Sequence, residues 1–170
     1  MKKIQRLSLN DLKETCLLLD DTTKKSILGG GEIVPLSKGS LENMENGVQY
    51  IGKDGITCFF AGVNFSLGGT ADMTAYQLLG TIHIDPTWIN DKDHPFTVED
   101  FAHEYGHFLQ ELSMGTLSYL MYVALPSVLN EWLEGGSGHS EMPTEKQATE
   151  FGMYYYNKNK HDSNKNKNGK

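Results

Sequence analysis

Hydrophobic and polar positions change period twice along the chain. In "GVQYIGKDGITCFFAG", residues 47–62, two apolar runs flank Lys53, Asp54 and Gly55. An Asp-Gly pair between such runs predicts a β-hairpin. "GTIHIDPTW", residues 80–88, predicts a third short strand, with Ile82 and Ile84 alternating against Thr81 and His83. Pro86 and the polar run "NDKDHP" close it. The period then lengthens. Val98, Phe101, Ala102, Tyr105, Leu109 and Leu112 recur at i, i+3, i+4, i+7, i+11 and i+14 and mark one apolar helical face. Thr97 is the predicted N-cap, Asp100 completes a capping box three residues on, and Gly115 suits the far end. A second, more apolar helical region is expected at about 116–133. "EGGSGHSEMP" then leads as a loop into a third helix opening at "TEKQATEFGMYYY".

"TLSYLMYVALPSVL", residues 116–129, is the most apolar stretch. It is shorter than the roughly 18–20 residues that cross a bilayer, and Pro126 interrupts it, so it reads as core. Strands followed by helices imply an α+β class, and 170 residues suffice for one domain with a hydrophobic core. No internal repeat is seen.

Charge is unevenly placed. Residues 1–30 carry six Lys/Arg against four Asp/Glu, and residues 157–170 carry five Lys against one Asp. That leaves four basic and 17 acidic residues in 31–156, a net charge of −13. So acidic a middle excludes nucleic acid and anionic lipid as natural partners, since both would be repelled. It would attract cationic peptides, or simply keep the surface soluble. Two cysteines, Cys16 and Cys58, do not make a disulfide framework, and Cys58 in "ITCFF" reads as a buried, inert thiol. The tail "NKNKHDSNKNKNGK" is nearly free of apolar residues and is expected to be disordered, with His161 inert inside it.

The candidate chemistry lies on the predicted helix, in "FAHEYGHFLQE". His103 and His107 are one turn apart and share a face, so their imidazoles can converge on one ion beside the apolar stripe. Glu104 is rotated by about 100° from His103. It is badly placed as a ligand but can reach a water held by the ion. That is the division of labour of the H-E-x-x-H motif: two nitrogen ligands for Zn²⁺ and a carboxylate that takes the proton. A solvent-facing helix with idle histidines is the alternative. Gly106 would allow close helix packing behind the metal. His83 is a strand residue that could line a substrate edge, His94 sits in a polar turn, and Tyr154, Tyr155 and Tyr156 read as packing.

"HEYGHFLQ" resembles the active-site helix of zincin metallopeptidases. The continuation "SYLMYVALPSVLNEW" and "GHSEMPTEKQATEFG" is similar to a group of small bacterial HExxH proteins with an "LPS" segment and a downstream "H…TE..A…G" stretch. This resemblance spans about residues 80–156. It implies His103 and His107 as metal ligands and Glu104 as general base. A metzincin would need a histidine where Ser113 stands, which excludes that subclass. Glu145 fits the glutamate ligand of a gluzincin-like arrangement. Thr149, four residues on, replaces the acidic or amide residue that often follows in that pattern. His139, in the "GSGHS" loop, is the rival third ligand or an oxyanion-steadying group. Glu145 is preferred because a rigid helix holds a ligand better. The resemblance also implies that the strand at 81–84 pairs through its edge with an extended peptide.

The N-terminal segment has basic residues but no continuous apolar h-region, which excludes a general secretory signal peptide. Ile4, Leu7, Leu9, Leu12, Leu17 and Leu19 suggest a loosely amphipathic helix ended by three glycines. "LSLNDL", Leu19 and "ILGG" (Ile27–Gly30) resemble the double-glycine leaders of bacteriocins. Such leaders are cut after the second glycine by the peptidase domain of an ABC exporter. Lys24 departs from that pattern, and Gly31 leaves the cut ambiguous by one residue.

The expectation is therefore a leader at 1–30, a zincin-like α+β domain at 31–156 with a short antiparallel sheet on about three helices, and a polar tail at 157–170. Its function would be zinc-dependent hydrolysis of peptide bonds in an exported protein, or in the cytoplasm if the leader is not one. The alternative is an exported antagonistic or signalling polypeptide whose metal site is structural or vestigial.

Overall fold

Two-residue alternation builds the first half of the domain. The computed structural model describes residues 33–68, 73–134 and 138–163; the leader expected at 1–30 lies outside them. Strands β1 (Ile33–Leu36), β2 (Gly39–Met44), β3 (Gly47–Gly52) and β4 (Ile56–Ala61) form an antiparallel meander. Val34, Leu36, Leu41, Val48, Tyr50, Cys58 and Phe60 are buried on it. The β3–β4 turn is the expected one. Asp54 Oδ1 accepts the Ile56 N–H at 2.9 Å, and Gly55 takes φ +87°, a left-handed conformation a side chain would resist. Burial raises the Cys58 thiol to about 11, offset in part by Lys160, so it is inert at neutral pH.

A second sheet departs from the expected single antiparallel one. Strands β5 (Asn64–Leu67), β6 (Ala75–Leu78) and β7 (Thr81–Ile84) lie in the order β5-β7-β6, with β5 parallel and β6 antiparallel to β7. Phe65, Ile82 and Ile84 point to the core. Buried Asn43 of β2 joins the two sheets, donating to the Phe65 carbonyl and accepting the Phe65 N–H, both at 2.9 Å.

Helix α1 (Pro86–Ile89) is one turn. Helix α2 (Val98–Met114) starts at the predicted capping box: Thr97 Oγ1 accepts the Asp100 N–H at 3.3 Å, and Asp100 Oδ2 accepts the Thr97 N–H at 2.8 Å. Val98, Phe101, Ala102 and Tyr105 are buried, whereas Leu112, at the end of the predicted stripe, is 65% exposed. Phe60 meets the rings of Phe101 and Tyr105 edge-on at 5.0 and 5.1 Å, locking α2 to β4.

The region expected as a second core helix is α3 (Thr116–Tyr119), a π-helical turn (Leu120–Ala124) and α4 (Leu125–Glu134). It is not core. Tyr119 and Val123 are buried, but Leu117 is 76% and Tyr122 74% exposed, with Met121, Leu125, Val128 and Leu129 also outward. Apolar content alone does not say which face a helix hides. No helix among the described residues is long and apolar enough to cross a membrane.

Helix α5 (Pro143–Asn159) packs directly on α2. A Cβ at Gly106 would run into the Ala148 carbonyl, and one at Gly152 into the Ala102 carbonyl, so two glycines set how closely the helices approach. Residues 157–163 of the tail expected to be disordered are ordered instead, and the rest of that tail lies outside the described residues. Helix α5 runs to Asn159, and His161–Asp162 form β8 on the edge of β4. The backbone of a polar segment finds partners there that its side chains alone did not announce.

Candidate metal centre

The close α2–α5 approach decides which side chains meet. His103 and His107 project from α2 toward Glu145 in the first turn of α5. Glu145 Oε2 lies 3.2 Å from His103 Nε2 and 3.0 Å from His107 Nε2, and all three ligand atoms fall within 4.8 Å of one another. Glu145 is 2% exposed. Bonds of about 2.0–2.1 Å in a tetrahedral site put neighbouring ligand atoms roughly 3.3 Å apart, so the two separations suit a shared ion.

Hydrogen-bond direction fixes both imidazoles. The Thr149 hydroxyl donates to the Glu145 carbonyl at 3.0 Å, so its oxygen accepts from His103 Nδ1 at 2.9 Å. The Gln110 amide donates to the Thr144 carbonyl at 2.8 Å and to Gln147 Oε1 at 3.0 Å. Its own oxygen must therefore face His107 Nδ1, at 2.9 Å. Both histidines thus carry a proton on Nδ1 and aim Nε2 at an anionic oxygen. Lone pairs and a carboxylate at this range repel unless a cation, a proton or a metal, lies among them. Glu145 Oε1, buried without a hydrogen-bond partner among the described residues, gives a second reason for an ion here. The donor set fits a metal ion.

Electrostatics agree with that demand. Burial, the largest influence on Glu145, works to raise its pKa. Hydrogen bonds from His103 and His107, with the charges of His107 and His139, outweigh it and hold the carboxyl far below the usual range. For His107 burial favours the neutral ring, yet Glu145, Glu104 and Gln110 together raise its pKa. Glu104 is raised instead. It is buried at the site, and desolvation exceeds the opposing effect of His107, His103 and the Gln77 N–H. A carboxylate destabilised by burial is a stronger base.

Every predicted site residue is thus near the centre. His103, His107 and Glu145 converge, Glu104 adjoins them, and His139 Nε2 lies 3.5 Å from Glu145 Oε2 although outside the compact triad. Gly106 packs as expected. Thr149, whose presence departs from the family pattern, orients His103. His83 meets Ser66 Oγ through Nδ1 at 2.9 Å and stacks on Tyr76, His94 is exposed, and the Tyr155 and Tyr156 rings pack around Phe60.

Sequence reasoning missed Gln110 and Glu111. Buried Glu111 accepts from Gln77 Nε2 at 2.7 Å and Thr116 Oγ1 at 2.8 Å, tying the end of α2 to β6. The signal was a second stripe: 103, 107 and 110, or 104, 107 and 111, repeat at helical spacing with polar residues. The expected peptide edge at 81–84 is corrected. Strand β7 is central, with β5 and β6 on either side. On β6 the Gln77 N–H is taken by Glu104 and its carbonyl by Tyr119.

Comparison with family models, with curated proteins and with solved structures gives no significant match.

Proposed function

We propose that the domain is a zincin-like, zinc-dependent metallopeptidase of the gluzincin type. The observation that carries this reading is the pair of imidazoles whose Nδ1 protons are committed to Thr149 and Gln110, leaving two Nε2 atoms and Glu145 Oε2 to converge beside the buried Glu104. His103, His107 and Glu145 would hold Zn²⁺. When bound, the ion polarises a scissile carbonyl and acidifies water. Glu104 takes the proton of the attacking water and returns it to the leaving amine, a task suited to its raised pKa. Thr149 and Gln110 keep the ligands in register. The partner is a peptide or protein substrate. Export through an ABC transporter that removes residues 1–30 is the accompanying proposal, supported by "ILGG" and the absence of an h-region.

The test is Glu104→Gln in the zinc-loaded chain, assayed for zinc content and for hydrolysis of a mixed peptide library. Retained zinc with hydrolysis reduced by at least about a hundredfold supports the reading. Equal hydrolysis in both proteins, or none in the parent, removes the peptidase and favours an exported polypeptide with a structural ion.

A further inference from the structure

The third histidine around Glu145 differs from the other two in how it is held. His139 sits on a single 3₁₀ turn, His139–Glu141, entered through Gly138 at φ +75°. Its Nε2 is 3.5 Å from Glu145 Oε2, close to the edge length of a tetrahedral zinc site, while 32% of its side chain remains exposed. Its Nδ1 is buried and has no hydrogen-bond partner among the described residues. His103 and His107 each have an Nδ1 partner that locks ring and tautomer. Permanent histidine ligands almost always have such a partner. His139 thus stands beside Glu145 but outside the set of ligand atoms that lie within 4.8 Å of one another, so it reaches the ion only when its turn moves inward, and it is too loosely supported to be fixed there.

Resting on the metal-site reading above, we propose that His139 is an exchangeable fourth ligand that closes the centre. In the closed form the ion is held by His103, His107, Glu145 and His139 Nε2, leaving no position for water. In the open form the coordinate bond from Nε2 breaks and one from a water oxygen replaces it, with no change of oxidation state. The imidazole then swings out on its turn. A four-ligand set of this kind belongs to closed structural sites, and a three-ligand set with one open position to catalytic ones. His139 switches the same centre between them, so a substrate or partner that draws the His139–Glu141 turn aside would activate it.

The test uses the full chain loaded with one equivalent of Zn²⁺, with His139→Ala and His139→Gln beside it. Zinc-edge X-ray absorption should count three imidazoles in the parent and two in each variant, all three proteins holding about one ion. Zinc affinity should fall roughly tenfold in the variants. Peptide hydrolysis should rise severalfold, because water no longer competes with an imidazole. Two imidazoles in the parent overturn the proposal, as does a fall in hydrolysis with an unchanged count, the mark of an oxyanion donor. Complete loss of zinc from both variants also overturns it, by making His139 a permanent ligand. A parent chain that binds no zinc is a separate outcome, which overturns the metal reading itself.

Discussion

Helix α2 and the segment 116–134 that follows it are both apolar in sequence, and they meet opposite fates. Along α2 the large side chains fall on one stripe, and a second, polar stripe points at α5. Both stripes are buried over most of their length, with Leu112 outward and His103 half-buried, and the polar one is buried because its groups find partners. From Leu112 to Asn130 there is no charged residue, yet only Tyr119 and Val123 in that span are buried hydrophobics. Burial follows what a neighbouring element can cover. Helix α5 covers α2 because Gly106 and Gly152 let it approach, whereas among the described residues nothing covers the outer face of α3 and α4.

The α2–α5 contact is most vulnerable at its glycines. Gly152→Ala pushes a methyl group into the Ala102 carbonyl and should cost about 3 kcal/mol, with loss of metal binding as α5 carries Glu145 away. Chemical denaturation and zinc titration of the variant check both effects; unchanged melting and affinity would show that the helices can separate freely. Next come the residues that orient the two histidines. Gln110→Ala or Thr149→Val should weaken zinc binding about 10- to 100-fold while circular dichroism stays that of the parent. An affinity equal to the parent's would mean that the Nδ1 bonds do not orient the rings.

Removing the α2 N-cap with Thr97→Ala should lower stability by about 1 kcal/mol, read from the denaturation midpoint. The smallest effect belongs to the exposed segment. Leu117→Ser and Tyr122→Ser should each change stability by no more than about 0.5 kcal/mol, since neither side chain loses burial. A loss of about 2 kcal/mol at either would place that face in a core after all.

What the chain revealed beforehand follows the same division. Local signals were legible: the Asp54-Gly55 turn, the Thr97/Asp100 box, the strand at 81–84, and the histidines with Glu104. Glu145 was reachable through its resemblance to a gluzincin ligand, and the α2–α5 contact supplies the geometry for it. The β1–β2 pair was not read, because Pro35 and the polar Glu42 and Asn43 interrupt the apolar alternation. Asn43 is buried all the same, since β5 supplies its backbone partners from 22 residues away. Gln110 and Glu111 stayed hidden for a similar reason. Their partners lie between 34 and 37 residues distant in the chain, apart from those on α2 itself and Thr116 at the start of α3.

Zinc stoichiometry decides whether His103, His107 and Glu145 hold one ion, as proposed. Dialysed protein titrated with Zn²⁺ should bind about one ion per chain, while the double variant His103→Ala/His107→Ala, verified as folded, should bind none tightly. One tightly held ion in the folded double variant would contradict the account.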